Sequence, residues 1–255
     1  MSPPRADRWA ARIARARLLA SRNSSVVEPL TFYAALAALQ SAQVGRASFR
    51  QSAQEIARLL PDFLRAVSRV APARVAAELE SVDGDPDHWI EPIEAYREGE
   101  SGRSSLSDRQ WFAIEAILQP LAEVEALAAE PAESGASGVC AFCGSAPVVS
   151  VLREDAHSAR RSLICGLCFT EWPSLRLVCL SCGESRFESL PVFRADEMSA
   201  ARIDACETCR TYTKTIDLTR DGSAEPIVDD IATLSLDLWA REQGYSRVRK
   251  NLLRL

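Results

Sequence analysis

The sequence predicts an α+β fold, with an N-terminal all-α domain followed by two tandem β units and a C-terminal helix. Three observations lead to this prediction. Alanine, leucine, arginine and glutamate dominate the first half of the chain, where apolar residues recur at helical spacing. All eight cysteines lie between Cys140 and Cys209, in a region with short β-like runs. After this region, a helical pattern returns at Pro226.

A small polar segment marks the clearest domain boundary. It comprises residues 133–138, whose glycine, serine and alanine content is typical of a flexible linker. Residues 1–132 are therefore predicted to form the helical domain. The cysteine region divides into a first β unit at 139–177 and a second at 178–220, and residues 221–255 form the C-terminal helix and tail.

Prolines and loop residues divide the first half into separate predicted helices. Apolar spacing places them at about 5–21, 29–44, 50–59, 62–70, 72–82 and 87–98. A longer helix starts after Ser107, whose side chain can form a capping box with Gln110, and Pro120 is expected to kink or split it. The C-terminal helix is expected to end near Gly244, a residue suited to a C-cap position. Short strands are predicted at Val148–Leu152, Ser162–Ile164 and Glu188–Val192.

Composition and charge argue against several classes of protein. The chain has 255 residues, of which 47% are hydrophobic and 25% charged, as is ordinary for a globular protein. Its net charge of −5 argues against nucleic-acid binding. No apolar run approaches the roughly 20 residues of a membrane span, so no membrane insertion is expected. Arginines interrupt any apolar segment near the N-terminus, which argues against a secretory signal and favours a cytoplasmic location.

The eight cysteines form four Cys-x-x-Cys pairs. In a small secreted protein an even number of cysteines indicates disulfides, but this chain is large and no export signal is predicted. In a reducing compartment the spacing indicates metal ligands, because both sulfurs of one turn can point at the same ion. A redox-active dithiol is the competing interpretation for any single pair. Four pairs in one repeating pattern favour metal binding.

The cysteine region contains an internal repeat. The run Val139–Gly144 matches Val178–Gly183, and each is followed by a β-like run and a second cysteine pair. The two pairs are separated by 21 residues in the first unit and by 23 in the second. This layout resembles that of zinc ribbons and rubredoxins, in which two turns facing each other supply four thiolates to one ion. The glycine after each first pair suits the positive φ of such turns.

Four cysteine pairs allow three pairings, and the repeat favours two sequential sites. A cross-braced arrangement usually has fewer than the ten residues found here between Cys168 and Cys179. Two metal ions per chain are therefore expected, and tetrahedral sulfur coordination suits either iron or zinc. The predicted ligand sets are Cys140, Cys143, Cys165 and Cys168 for the first site, and Cys179, Cys182, Cys206 and Cys209 for the second.

Longer motifs surround these cysteines. They are Cys140-x-x-Cys143-Gly144-Ser145-x-Pro147-Val148, Arg161-x-Leu163-x-Cys165-x-Leu167-Cys168-x-Thr170-Glu171-Trp172, Arg176-x-x-Cys179-x-x-Cys182, Cys206-x-x-Cys209-x-x-Tyr212-x-Lys214, the run Asp229–Asp237, and Gly244-Tyr245-x-Arg247 with Asn251. Together they resemble the formate dehydrogenase accessory protein family, FdhE. The similarity is dense from residue 139 to 251 and thin before it. The tail departs from the family, because Asn251-Leu252-Leu253 stands where the family has Asn-Pro-Phe.

The resemblance implies a cytoplasmic accessory factor for a molybdenum- or tungsten-dependent formate dehydrogenase. Such a factor binds the catalytic subunit during maturation and does not itself turn over formate. The family's cysteine units are described as rubredoxin-like, which implies iron as a candidate metal. No catalytic residues are predicted, because neither a Ser–His–Asp set, a phosphate-binding glycine loop nor paired catalytic carboxylates can be argued from the sequence.

Three other functions compete with the accessory role. They are an iron-dependent redox protein acting on the same enzyme, a structural zinc-ribbon interaction module and a thiol–disulfide oxidoreductase, which needs a metal-free pair of low pKa. The sequence assigns no oligomeric state. The candidate partner-binding residues also have ordinary structural interpretations, and for Glu171 and Trp172 the structural one is favoured. These candidates are Glu171, Trp172, Asp229, Asp230, Tyr245 and Arg247.

Overall fold

The N-terminal part of the chain is helical in the computed structural model, which describes residues 5–80, 84–99, 103–129, 138–155 and 158–254. Its helices are Arg5–Arg22 (α1), Val27–Ser41 (α2), Ala53–Ser68 (α3), Ala73–Glu80 (α4), Ile90–Arg97 (α5) and Asp108–Ala128 (α6). The predicted linker at 133–138 lies outside the described residues except for Gly138. The predicted domain boundaries therefore stay a prediction.

Two prolines, Pro61 and Pro120, lie in helices beyond the first turn. The predicted break at Pro61 is wrong, because α3 runs through it, and α6 is not split at Pro120. A proline in a helix interior removes a backbone hydrogen bond and costs about 3 kcal/mol. In α3 the side chains on both sides of Pro61, including Ile56 and Phe63, are buried in the same core, which offsets that cost. The capping box predicted at the start of α6 is present.

The cysteine region forms one mixed sheet. Its strands are Pro147–Asp155 (β1), Ser158–Cys165 (β2), Glu171–Pro173 (β3), Val192–Arg194 (β4), Ala201–Ala205 (β5), Thr211–Asp217 (β6) and Ser246–Arg247 (β7). The strand order is β3-β2-β1-β6-β5-β4, with β7 also pairing with β6. The strand predicted at Glu188–Val192 is wrong over most of its length, because Phe187–Ser189 is a 3-10 turn and β4 begins at Val192.

The sheet contains the tandem repeat in its strand order. Within each unit three strands pair antiparallel, β3-β2-β1 in the first and β6-β5-β4 in the second. The two units join where β1 pairs in parallel with β6, with Ser150 opposite Thr215. The predicted fold class is confirmed, and the structure adds that the two units share one sheet.

The C-terminal segment forms two helices where the sequence predicted one. Pro226–Ala232 (α7) and Leu234–Glu242 (α8) are separated at Thr233. The Lys214 ammonium, on the adjacent β6, donates to the carbonyl oxygens of Asp230 at 2.6 Å and Thr233 at 3.3 Å. These are carbonyls at a helix end, and the lysine satisfies them in place of backbone amides. Gly244 follows α8 with a φ of +79°, as a C-cap glycine does.

The two faces of the sheet pack into different cores. On β2, Leu163 belongs to a first core shared with α3, α5 and α6, whereas Ile164 belongs to a second core shared with α1, α2 and α7. Neighbouring strand residues point to opposite faces, which explains this division. Helix α6 is buried continuously from Trp111 to Glu123. Within the described ranges, none of the helices has the length and apolarity needed to cross a lipid bilayer.

Candidate metal centres

Four thiols converge in the first β unit. Cys140 and Cys143 lie in the turn before β1, whereas Cys165 ends β2 and Cys168 lies in the turn that follows. The Sγ atoms all lie within 4.8 Å of one another. Cys140 Sγ is 3.5 Å from Cys168 Sγ, and Cys143 Sγ is 3.3 Å from Cys165 Sγ. A disulfide requires about 2.05 Å, so these thiols are free.

The second β unit repeats the arrangement. Cys179 Sγ lies 3.6 Å from Cys209 Sγ, and Cys182 Sγ lies 3.7 Å from Cys206 Sγ. All four Sγ atoms again lie within 4.8 Å of one another. The structure thus brings together the two sequential groups that the repeat favours.

The sulfur spacing fits a tetrahedral metal ion. Zinc–sulfur bonds of about 2.3 Å place the four ligands of a tetrahedron about 3.8 Å apart. The shortest sulfur–sulfur distances, 3.3–3.7 Å, are close to this value, and every pair in a group lies within 4.8 Å. Each group can therefore hold one ion after small shifts of the side chains. Four sulfur ligands complete the coordination of such an ion and leave no open position.

The backbone of the two sites is nearly the same. The amide of Cys140 donates to the carbonyl of Ser145 at 2.9 Å, and the amide of Cys179 donates to the carbonyl of Glu184 at 2.8 Å. Gly144 and Gly183 adopt φ values of +69° and +76°, which confirms the positive φ predicted for the glycine after each first cysteine pair. The second pairs are followed by residues that also have positive φ but are not glycine, namely Phe169 and Arg210.

One threonine hydroxyl reaches a cysteine sulfur in each site. Thr170 Oγ1 lies 3.1 Å from Cys168 Sγ, and Thr211 Oγ1 lies 3.0 Å from Cys209 Sγ. A hydroxyl that donates to a thiolate disperses its negative charge and orients the ligand. The sequence analysis did not identify these residues as part of the sites. The signal was present, because each threonine stands two positions after the last cysteine of its unit.

Negative charge is shared unequally among the thiols. Hydrogen bonds from Cys143, Cys165 and Cys168 lower the pKa of Cys140, whereas burial raises the pKa of Cys165 well above its ordinary value. In the second site burial opposes ionisation, but hydrogen bonds from Thr211 lower the pKa of Cys209 to about 6. A cation that binds all four sulfurs stabilises every thiolate at once, so the donor set suits a metal ion.

The surroundings of the two sites differ. Cys140, Cys165 and Cys168 are buried in the first core against the helical domain, and Cys143 is half-buried. In the second site Cys182 is exposed and Cys209 is half-buried. The first site is therefore enclosed by protein, whereas the second borders solvent.

Helix α6 clamps the turn that carries Cys165 and Cys168. Gln119 Nε2 donates to the carbonyl oxygen of Gly166 at 2.9 Å. A Cβ atom on Gly166 would lie 2.0 Å from Nε of Arg249, a buried residue paired with Glu115 of α6. Only glycine leaves room for this close approach between the metal turn, the C-terminal tail and α6.

Comparisons with known proteins agree with this arrangement. The family model described as "FdhE, central domain" matches residues 139–176, and "FdhE, C-terminal domain" matches residues 177–254. The crystal structure of the FdhE protein from Pseudomonas aeruginosa covers 99% of this chain and 98% of its own, with a TM-score of 0.74 and 26% identity. Residues 139–254 thus match FdhE in sequence, and nearly the whole chain is similar in fold to an FdhE protein.

Curated FdhE relatives match mainly the cysteine-bearing part. A protein FdhE homolog of Aquifex aeolicus is 43% identical over 116 residues, which is 45% of this chain and 41% of that protein. A homolog from Serratia proteamaculans is 28% identical over 194 residues, covering 74% of this chain and 62% of its own length. The matched part of the chain spans less than two-thirds of these FdhE relatives.

The candidate partner-binding residues all make internal contacts. Trp172 is buried in the first core, and Glu171 forms an ion pair with Arg153 at 2.8 Å. Asp229 pairs with Arg15 of α1, and the Tyr245 hydroxyl donates to Glu207. These contacts give the residues structural roles in an FdhE fold. Their role in partner binding stays a prediction, which also applies to Asp230 and Arg247.

Asp230 and Arg247 belong to a buried cluster around Lys214, whose side chain is 0% exposed. Lys214 and Arg247 each contact both Asp230 and Asp237. Burial alone would raise the pKa of Asp230, but the charges of Arg247 and Lys214 lower it below its ordinary value. In the sequence, Lys214 and Asp237 stand out only as members of the FdhE-like motifs. The cluster was not predicted, because its members are far apart in sequence.

Proposed function

We propose that this chain is an accessory factor for formate dehydrogenase maturation, which binds the catalytic subunit and carries two tetracysteine metal ions. One observation carries the proposal: two tandem tetracysteine sites lie within matched FdhE domains, in a chain that shares the fold of the Pseudomonas aeruginosa FdhE protein almost throughout. We place it in the cytoplasm, and propose that it neither catalyses formate turnover nor binds nucleic acid.

The two metal ions have separate roles in this proposal. At the first site the ion stabilises the junction of the sheet with α6, because its ligands lie in the first core. Metal binding at such a site contributes directly to the folding free energy. At the second site the ion organises a surface next to solvent, where Cys182 is exposed. Iron and zinc both suit the sulfur geometry.

A binding experiment tests the accessory role directly. The chain and the catalytic subunit of the same organism's formate dehydrogenase are purified without oxygen and mixed, and complex formation is measured by calorimetry. We expect a stable one-to-one complex, and a strain lacking this chain to lose formate dehydrogenase activity while the catalytic subunit is still made. Absence of binding together with full activity in that strain would refute the proposal.

A redox function is the second candidate, because the exposed Cys182 brings the second metal centre to the surface where an electron partner can approach. Metal analysis of oxygen-protected protein separates the two functions. About two irons per chain, with thiolate-to-iron absorption bands that bleach on reduction, support redox chemistry. Two zinc ions in colourless, active protein refute it and leave the accessory role, since zinc has no redox chemistry.

A further inference from the structure

In the part of the chain that the structure describes, one face of the second β unit lacks the helical cover found on the first. On β5, Ala201, Ile203 and Ala205 point into the second core, so Arg202 and Asp204 point to the opposite face. In the first unit this face is covered by α3, α5 and α6, which bury Leu163 and Trp172. Over the second unit it borders a cavity lined by sheet residues, by residues 176–180 and by Leu190.

The cavity has a volume of about 140 Å³. Its apolar lining includes Leu177, Leu190 and Val192. Leu177 and Val192 are 50% and 47% exposed. Phe187 is 70% exposed and does not line the cavity, but its carbonyl accepts from the amide of the lining residue Leu190 at 3.1 Å. Apolar side chains grouped at a cavity rim are characteristic of protein-binding surfaces. We name Leu177, Phe187 and Val192 the apolar rim.

The polar lining of the cavity is rich in hydrogen-bond donors. Arg161 is buried and lines it, and its Nε has no hydrogen-bond partner among the described residues. Its nearest acid, Asp204, lies 3.8 Å from Nη2. Arg176 also lines the cavity and makes no hydrogen bond or ion pair to a described residue. Arg161 Nη1 donates to the carbonyl oxygens of Leu175 and Val178, so the buried Nε is the donor that still needs an oxygen acceptor. Arg176 is exposed and free to reach the same acceptor. A carboxylate is the best acceptor for a guanidinium.

We propose that the apolar rim and the arginines beside it bind an apolar segment of the formate dehydrogenase catalytic subunit that carries a carboxylate. The apolar residues of the segment cover the rim, and its carboxylate accepts hydrogen bonds from Arg176 and Arg161. This inference rests on the proposed function. It adds the surface and the chemistry of the segment that is recognised.

Replacing apolar rim residues by serine tests whether the partner segment binds through apolar contacts. The double variant Leu177→Ser/Phe187→Ser is compared with Leu238→Ser, which alters a 48% exposed leucine on α8, outside the cavity. Calorimetry with the purified catalytic subunit should show binding at least about tenfold weaker for the double variant. Leu238→Ser should bind like the wild type. Equal binding by all three proteins would overturn the proposal. Metal content and circular dichroism establish that each variant is folded.

Charge reversal tests the carboxylate. Arg176→Glu should weaken binding by about tenfold or more, because a like charge faces the acid of the segment. The matched control is Arg17→Glu, which reverses an exposed arginine on α1. Arg17→Glu should leave the affinity unchanged. If Arg176→Glu binds as the wild type does, the carboxylate assignment is wrong.

The outcomes separate this inference from the proposed function. If wild-type protein itself fails to bind the catalytic subunit, the accessory role fails and the surface proposal falls with it. If the wild type binds and the rim variants bind equally well, the accessory role stands and only the surface assignment is wrong. A photo-crosslinking residue at position 187 should couple to the catalytic subunit, whereas the same residue at 238 should not.

Discussion

The two metal centres have the same inner geometry and different surroundings. The Cys-x-x-Cys turns, sulfur contacts, positive-φ glycines and threonine hydroxyls of one centre each have a counterpart in the other. The first centre is nevertheless enclosed by the first core, and the second has an exposed ligand, Cys182. A duplicated motif has thus kept its coordination while its environments have diverged.

The turns at the second cysteine pairs show how the environments differ. In the first unit this turn contains Gly166 and Leu167, and it packs closely on Arg249 and α6. In the second unit the same positions are Glu207 and Thr208, which make polar contacts at the surface. Apolar and small residues bury one turn, whereas charged and polar residues keep the other in contact with water.

Serine substitution of one buried cysteine in each site should give the largest difference. We expect Cys165→Ser to lose one metal ion and to lower the free energy of unfolding by about 4 kcal/mol or more, because its site joins the sheet to the first core. Cys206→Ser should also lose one ion, with about half that destabilisation. Metal analysis and denaturant unfolding measure both. Equal destabilisation would contradict the difference between the sites.

The buried cluster under β6 should be the next most sensitive feature. Asp230→Asn removes an anion that contacts both Lys214 and Arg247, and should destabilise the protein by about 3 kcal/mol. The loss of stability should be greatest in the second unit, where β6 is hydrogen-bonded to α7 and α8. Hydrogen exchange should show β5 and β6 losing protection before α6.

The effect of Asp230→Asn should depend on pH. The folded-state pKa of Asp230 lies below its ordinary value of 3.8, because Arg247 and Lys214 outweigh the effect of burial. The ionised carboxylate therefore contributes its stabilisation above about pH 4, and this is lost as the pH falls through the lower folded pKa. The stability difference between wild type and variant should be nearly constant above about pH 5 and should shrink as the pH falls below about 4. A constant difference would show that ionisation of Asp230 is not responsible.

A methyl group on Gly166 should destabilise the first site alone. The added Cβ lies 2.0 Å from Arg249 Nε, so Gly166→Ala should cost about 1–3 kcal/mol. Gly222→Ala is a matched control, since its Cβ meets no atom closer than 3.8 Å. Thermal unfolding of both variants checks this. If Gly166→Ala is as stable as Gly222→Ala, α6 does not clamp the metal turn tightly.

Loss of the threonine hydroxyls should affect both sites alike. Thr170→Val and Thr211→Val each remove one hydroxyl contact with a cysteine sulfur. We expect each to weaken metal affinity at its own site by about tenfold. Competition with a chromogenic chelator measures the affinities. If metal affinity falls at only one site, the hydroxyl contributes to metal binding in that site alone, although the geometry is the same in both.

The sequence predicts the coordination better than the surroundings. Local spacing and the repeat are sufficient to group Cys140 with Cys165 and Cys179 with Cys206, because each turn is determined by a few adjacent residues. The capping box at Ser107 is also determined by a few adjacent residues, and it was predicted correctly. Features that depend on distant residues were not predicted, including the parallel pairing of β1 with β6 and the Lys214 cluster.

The wrong predictions also have non-local causes. Pro61 lies within α3 because side chains on both sides share one core, which outweighs a local preference. The predicted single C-terminal helix ends at Ala232 because Lys214, on a strand earlier in the chain, binds its last carbonyls. The exposure of Cys182 follows from which face the helices cover, and cysteine spacing carries no information about that.

Site-resolved metal release tests the difference between the centres most directly. Protein loaded with two zinc ions is mixed with excess chelator, and the release of each ion is followed over time. Cys182→Ser protein, in which the second site is disrupted, assigns the phases. We predict two phases, with the second site releasing zinc at least about tenfold faster because its ligands reach solvent. A single phase, or faster release from the first site, would contradict the account.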